Sequence, residues 1–125
     1  METEPTLLFV YGTLKRGDVR AYLLDNQTFI GEATTQPVYR LFNTGDYPAL
    51  VEAAALGMTG RAIVGELWRV DALCLARLDE EEGVDEGLYR RVAIEMSEPG
   101  PAVQGYVYML SVDGMADCGD RWPVG

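Results

Sequence analysis

The feature that most constrains this fold is a continuous apolar run at residues 7–11, Leu-Leu-Phe-Val-Tyr. A strand with one covered face alternates apolar and polar residues, whereas an unbroken apolar run is typical of a strand covered on both faces. The run ends at Gly12, where a glycine loop (residues 12–17) bounded by Gly12 and Gly17 begins. The sequence therefore predicts a buried strand that leads directly into a glycine-bounded loop.

The remaining patterns predict two helices and several further strands. Asp18 is a candidate N-cap for a short helix over residues 19–24, and Asp71 for a longer one over 72–82 that ends at Gly83. Strands are predicted at residues 28–34, 38–42, 61–70, 88–96 and 103–110, with a turn at 43–46, a loop at 53–60 and a polar tail from about residue 111. We expect a single α+β domain over residues 1–125, built around a curved sheet or barrel.

The net charge of the chain limits the classes of molecule that are expected to bind it. It has 20 acidic and 10 basic residues and a formal net charge of −10. Nucleic acids and anionic membrane surfaces attract basic proteins, so neither is an expected partner. No apolar stretch approaches the length of a membrane span. The acidity favours neutral or cationic small-molecule partners.

Residue types that are missing or scarce exclude several chemistries. The chain has no histidine, which excludes serine–histidine and cysteine–histidine catalysis and histidine-ligated metals. Cys74 and Cys118 are far apart and not in a metal-type spacing, which favours two reduced thiols in a cytoplasmic protein. The acidic start lacks the basic and apolar regions of a signal peptide. Catalysis must therefore use carboxylates, hydroxyls, tyrosines or backbone groups.

The glycine loop is the first candidate binding element. A buried strand that ends in such a loop ahead of a helix can turn several backbone N–H groups outward to bind an anion. The loop is not a phosphate-binding P-loop, because the required lysine and hydroxyl residue do not follow its second glycine. From its spacing alone, an ordinary strand-to-helix turn is the favoured interpretation of this loop.

The acidic run at residues 79–82 is the second candidate. Carboxylates at a helix C-terminus face the negative end of the helix dipole, so helix stability does not require them there. Glu82 continues the apolar stripe of Leu75 and Leu78, and an inward-facing carboxylate has a raised pKa suited to a general acid/base. Glu80 and Glu81 are interpreted as solvated charges without a role. For Glu82, both interpretations stay open.

Tyrosines near predicted strands form the third candidate set. Tyr47 precedes a proline, Tyr89 and Arg91 form a Tyr-x-Arg pair, and Tyr106 lies in the last long strand. Tyrosines on strands usually pack in a core or at its rim, so these residues by themselves predict no function.

Taken together, five segments resemble the γ-glutamylcyclotransferase-like proteins, especially the γ-glutamylamine cyclotransferase branch. The glycine loop and the residues before it match the signature Y-G-[ST]-L, and residues 78–83 with 89–91 match L-D-x-x-E-G followed by Y-x-R. Residues 45–51 and 64–70 agree as well, in the same order along the chain. The resemblance spans residues 7 to about 110.

This resemblance implies a fold, a reaction and a set of site residues. The implied fold is a small mixed β-barrel with flanking helices and a cavity at one end. The implied reaction releases an amine from a γ-glutamyl amide while the glutamyl group cyclises to 5-oxoproline, without metal or cofactor. Glu82 aligns with the family's catalytic glutamate. The implied substrate-binding residues are Tyr11, Gly12, Thr13, Leu14, Tyr47, Tyr89, Arg91 and Tyr106.

One departure and two alternatives stay open. Many relatives carry Asn-His shortly after the Lys-Arg-Gly segment, whereas residues 18–22 here are Asp-Val-Arg-Ala-Tyr, which leaves the leaving amine undetermined. The alternatives are a non-catalytic protein that binds a carboxylated or γ-glutamyl metabolite, and a glutathione-specific cyclotransferase. Glu82 favours an enzyme, because a carboxylate binder gains nothing from a buried negative charge. The sequence does not determine the oligomeric state.

Overall fold

The computed structural model describes residues 5–123, whose strands pair into two sheets. The five-stranded sheet has the order β2-β5-β1-β7-β6, and the three-stranded sheet has the order β4-β3-β8. The elements are β1 (Thr6–Val10), β2 (Thr28–Thr34), β3 (Tyr39–Asn43), β4 (Pro48–Glu52), β5 (Val64–Val70), α1 (Ala72–Glu81), β6 (Tyr89–Ala93), β7 (Val103–Tyr108) and β8 (Ala116–Asp117), with 3₁₀ turns at Ala21–Leu24 and Ala53–Leu56.

Strand β1 is the centre of the larger sheet, as its apolar run predicts. It pairs antiparallel with β5 and parallel with β7. Leu8 and Val10 pack into one hydrophobic cluster and Phe9 into a second, so the two faces of the strand are both covered. The prediction of a doubly buried strand is confirmed, and the glycine loop starts where this strand ends.

Helix α1 also begins as predicted. The Asp71 carboxylate accepts a hydrogen bond from the backbone N–H of Cys74 at 2.8 Å, which caps the helix. The helix ends one residue earlier than predicted, with Glu82 as its C-cap and Gly83 in the left-handed conformation at φ 66°. Leu78 is fully buried, so the stripe that leads to Glu82 faces the interior.

Several boundaries differ from the predictions. The short helix over residues 19–24 is a 3₁₀ turn at Ala21–Leu24, and the strands predicted at 61–70, 88–96 and 103–110 are shorter. Strand β4 and the two-residue β8 were not predicted. Strand β4 begins at a proline, which is tolerated as the first residue of a strand but usually indicates a loop. Strand β8 depends on pairing with the distant β3, for which its own residues carry no signal.

The mixed α+β architecture is confirmed, whereas no closed barrel is found in the part of the chain that the structure describes. Between residues 5 and 123, β4 packs against β7, and the isolated bridge Tyr39↔Arg61 pairs β3 with the segment that precedes β5; no continuous hydrogen-bonded ladder links the two sheets. Both hydrophobic clusters contain residues of both sheets, and the first also contains Cys74 and Leu78 of α1; the end of β1 lines a cavity.

Two further observations concern membrane-spanning helices and the two cysteines. No helix within residues 5–123 is long and apolar enough to cross a membrane. Cys74 and Cys118 are both buried free thiols. The cytoplasmic location stays a prediction.

Candidate active site

The cavity lies at the carboxyl end of β1 and encloses about 330 Å³, its open mouth included. It is bounded by the end of β1, the start of the glycine loop, the end of α1 and the strands β4, β6 and β7. Its lining residues are Phe9, Val10, Tyr11, Gly12, Thr13, Leu14, Arg20, Tyr47, Pro48, Glu82, Tyr89 and Tyr106. The site therefore joins segments that lie far apart along the chain, from Phe9 near its start to Tyr106 near its end.

Residues 12–14 of the glycine loop line this cavity with their backbone. Two hydrogen bonds close the loop, from Lys15 N to Gly12 O at 3.1 Å and from Arg20 N to Thr13 O at 2.9 Å. The N–H groups of Gly12, Thr13 and Leu14 donate to no acceptor in residues 5–123. Three successive donors that line a cavity form an arrangement that can bind an anion.

A buried carboxylate on β5 holds the other end of the glycine loop. Glu66 is 8% exposed, and its Oε1 accepts hydrogen bonds from Arg16 N at 2.9 Å and from Trp68 Nε1 at 3.2 Å. The Arg16 side chain binds the second oxygen at 3.2 Å and lies over the ring of Phe29. These contacts attach the loop to the central sheet.

Close packing against β4 explains why residue 12 is glycine. A Cβ atom at Gly12 would lie 2.7 Å from Cγ and 2.9 Å from Cδ of Pro48. Contacts under 3.0 Å are not tolerated without movement of one of the partners. Gly12 therefore allows the loop backbone to approach the cavity wall that Pro48 forms.

Glu82 faces the same cavity from the end of α1. It is 7% exposed, and its Oε1 accepts a hydrogen bond from Arg20 Nη2 at 2.8 Å. Burial raises the pKa of Glu82 above its usual value, the nearby Glu81 raises it further, and the charge and hydrogen bond of Arg20 partly oppose this rise. The predicted inward orientation of Glu82 is thus confirmed, and its raised pKa comes mainly from desolvation.

Tyrosines form most of the remaining cavity wall. The hydroxyl of Tyr11 donates to the carbonyl of Tyr106 at 2.6 Å, and that of Tyr89 to the carbonyl of Pro48 at 2.7 Å. Burial raises the pKa of both phenols, so they stay neutral. The ring of Tyr47 lies 6.0 Å from that of Tyr89, at the more exposed side of the cavity. These side chains are fixed walls rather than free proton donors.

Arg91 does not line the cavity. Its Nε and Nη2 atoms bind the two carboxylate oxygens of Asp79 at 2.8 and 3.0 Å, and the same Asp79 accepts the hydroxyl of Tyr106 at 2.7 Å. Although burial alone would raise the pKa of Asp79, the hydrogen bonds from Arg91 and Tyr106 lower it. Arg91 thus lies behind the wall residue Tyr106 and supports it through Asp79.

The structure brings Glu82 together with seven of the eight expected binding residues, Arg91 being the exception. Sequence reasoning assigned no role to Arg20, Pro48 or Asp79. The departure from the family pattern at residues 18–22 was the available signal for Arg20, whereas Pro48 and Asp79 carried none beyond lying in matched segments.

Within the described part of the chain, no cluster of three or more Cys, Asp or Glu side chains could hold a metal ion.

A second depression continues the cavity toward solvent, and we call it the outer groove. It shares Thr13, Arg20, Tyr47, Glu82 and Tyr89 with the cavity. Its other lining residues are Val19, Asp46, Glu81 and Leu88. A ligand with its reacting bond beside Glu82 can therefore occupy both spaces.

Comparison with known proteins shows the family to which this chain belongs. Residues 8–122 match the model of the family described as gamma-glutamyl cyclotransferase, AIG2-like. A Vibrio cholerae protein provisionally named gamma-glutamylcyclotransferase is 35% identical over 91% of this chain and 93% of its own length. The gamma-glutamylaminecyclotransferase of Rattus norvegicus is 33% identical over 81% of this chain and 75% of its own length.

A solved structure is similar as well. The crystal structure of an AIG2-like protein from Mus musculus superimposes with a TM-score of 0.65 at 30% identity, covering 87% of this chain and 79% of that chain. The family model covers nearly all of the described residues, including every residue that lines the cavity. The chain therefore belongs to the AIG2-like gamma-glutamyl cyclotransferase family and is an enzyme of this type.

Proposed function

We propose that this enzyme releases an amine or amino acid from a γ-glutamyl amide with formation of 5-oxoproline, and that Glu82 is its general acid/base. The observation that carries the proposal is a buried carboxylate, Glu82, that lines one small cavity together with residues 12–14, whose backbone N–H groups have no acceptor in residues 5–123. This arrangement offers a proton acceptor and an anion-binding surface to one small ligand.

The reaction needs no nucleophile from the protein, because the substrate's own α-amine attacks. The α-ammonium gives a proton to Glu82, and the freed nitrogen attacks the γ-carbonyl carbon to form a tetrahedral oxyanion. The bond from that carbon to the leaving nitrogen breaks as Glu82 returns the proton to the leaving nitrogen. A second proton follows the same route, so the products are 5-oxoproline and the protonated amine, and no water is consumed.

The environment of Glu82 suits both directions of proton transfer. Burial raises its pKa toward the range in which a carboxyl can accept a proton and return it, while Arg20 limits this rise. The neighbouring phenols do not compete for this role, because the hydroxyls of Tyr11 and Tyr89 are bound to backbone carbonyls. Glu82 is therefore the group in the cavity best suited to move protons.

The glycine loop supports the anionic parts of the substrate. The N–H groups of Gly12, Thr13 and Leu14 suit the α-carboxylate or the developing oxyanion, and backbone donors held in place stabilise such charges without reorganising. The close walls from Tyr11, Tyr89 and Tyr106 favour a folded glutamyl chain, with its amine near its γ-carbonyl. We assign the outer groove to the leaving amine, because it continues from Glu82 toward solvent.

The substitution Glu82→Gln tests this assignment. It keeps the size of the side chain and an acceptor for Arg20 but cannot take up a proton, so we expect turnover to fall by at least ~10²-fold with substrate still bound. The assay is 5-oxoproline release from a panel of γ-glutamyl compounds, followed by mass spectrometry. Binding of each compound is measured separately by calorimetry.

A neighbouring glutamate provides a matched control. Glu80 is exposed at the end of the same helix and lines neither the cavity nor the outer groove, so Glu80→Gln removes the same charge and should leave turnover nearly unchanged. Near-normal 5-oxoproline release by Glu82→Gln would refute the mechanism. A large loss of turnover in Glu80→Gln would show that the wrong glutamate had been assigned.

A further inference from the structure

Arg20 connects the two functional parts of the site. Its Nε donates to the Thr13 hydroxyl at 2.9 Å, and its Nη2 donates to Glu82 Oε1 at 2.8 Å. Its backbone N–H also binds the carbonyl of Thr13, so the residue is held to the glycine loop at two points. The side chain is 27% exposed and lines both the cavity and the outer groove.

The Arg20 contact engages one oxygen of Glu82. The second oxygen, Oε2, accepts no hydrogen bond from residues 5–123, and Glu82 lines the cavity. A carboxylate held at one oxygen cannot rotate freely, so the orientation of Oε2 is set by the guanidinium. The planar guanidinium can bind Thr13 and Glu82 at once because its donors point in fixed directions.

We propose that Arg20 is a positioning residue for the reaction, which orients the Glu82 carboxylate and couples it to the anion-binding glycine loop. Arg20 holds Oε1 and leaves Oε2 free to receive a proton from the substrate's α-ammonium. The inference rests on the proposed role of Glu82.

The charged and titratable groups around Glu82 indicate a measurable consequence. Two charged groups act on the Glu82 carboxylate, namely Arg20 and the adjacent Glu81. The charge of Glu82 in turn acts on four tyrosines from the surrounding strands and loops: Tyr11, Tyr47, Tyr89 and Tyr106. The tyrosines are neutral and Glu81 is negative, so Arg20 is the member of this set that stabilises the ionised carboxylate. Without Arg20, Glu82 would bind its proton more tightly, and its pKa would rise.

The experiment compares Arg20→Met, Arg20→Lys and the wild-type enzyme. The first readout is the titration of the Glu82 side-chain carboxyl in the substrate-free protein, followed by ¹³C NMR and assigned with Glu82→Gln. The second is the pH dependence of kcat/KM, whose acidic limb reports groups of the free enzyme. Arg77→Met is the control, since Arg77 is an exposed arginine of α1 whose guanidinium donates to the carbonyl of Leu23.

We expect Arg20→Met to move the Glu82 titration and the acidic limb to higher pH by about one unit or more. Arg20→Lys keeps the charge and should restore most of that shift. Even at pH values above the acidic limb, the kcat of Arg20→Lys should stay about tenfold below that of the wild type. An ammonium group does not reproduce the geometry in which the guanidinium binds Thr13 and Glu82 together. Arg77→Met should move neither readout.

The possible results separate this inference from the proposed function. If Arg20→Met changes neither the titration of the Glu82 carboxyl nor the acidic limb of kcat/KM, while Glu82→Gln is inactive, the role of Arg20 alone is overturned. An active Glu82→Gln would overturn the proposed function itself. Thermal unfolding of each variant shows whether it is folded, and Arg20→Gln replaces Arg20→Met if the latter is not. Full kcat in Arg20→Lys would reduce Arg20 to a source of charge and overturn its positioning role.

Discussion

The contact between Gly12 and Pro48 allows a quantitative test of how the glycine loop is placed. The substitution Gly12→Ala introduces a Cβ atom 2.7 Å from Cγ of Pro48. Pro48 cannot move away easily, because it opens β4, pairs with Asn43 and accepts the Tyr89 hydroxyl on its carbonyl. The loop must therefore shift instead.

The expected destabilisation follows from two opposing effects. Overpacking of a tight contact costs about 1–3 kcal/mol. Replacing glycine by alanine restricts the unfolded chain and returns about 0.4–1 kcal/mol. The net loss for Gly12→Ala is then about 1–2 kcal/mol, which corresponds to a decrease in Tm of roughly 4–8 °C for a domain of this size. Displaced loop donors should lower kcat/KM by about tenfold or more.

A double-mutant cycle with Pro48→Ala isolates the clash. Removing the proline ring should relieve the contact, so the double variant should be about as stable as Pro48→Ala alone, with a coupling energy of at least about 1 kcal/mol. The measurements are denaturant unfolding and kcat/KM for all four proteins. Gly31→Ala is the control, since a Cβ there meets no atom within 4 Å. Additive effects at Gly12 and Pro48 would refute the packing argument.

Two further predictions concern stability as a function of pH. The pKa of Glu82 in the folded protein is raised, so the wild type loses stability as pH rises from the unfolded pKa of about 4.3 to the folded pKa. Because glutamine does not titrate, the stability of Glu82→Gln relative to the wild type should increase over this pH range. Chemical unfolding at pH 3.5 and 7 measures this, and an equal difference at both values would contradict it. For Asp79 the folded pKa is lowered, so the stabilisation by Arg91 and Tyr106 is present at neutral pH and is lost as pH falls through that folded pKa. Asp79→Asn should therefore destabilise by about 1 kcal/mol at pH 7 and less at pH 3, and the same loss at both would show that charge is not involved.

Local patterns along the chain were sufficient to predict the elements that carry the site. The unbroken apolar run around Phe9 requires a strand with both faces covered, and Gly12 follows directly because the chain must turn there. Asp71 and Gly83 define the ends of α1 through capping and the left-handed conformation, which depend only on neighbouring residues. The stripe from Leu78 to Glu82 likewise sets which carboxylate turns inward.

Tertiary structure alone decided which of these residues meet and what they do to one another. The partner of Glu82 is Arg20, 62 positions away, and the wall against Gly12 is Pro48, which no periodicity connects to the loop. Arg91 had the expected spacing from Tyr89, but pairing with Asp79 directs its charge behind the cavity wall. Spacing along a strand determines the face on which a side chain lies, whereas its contacts depend on which distant segments pack against that face.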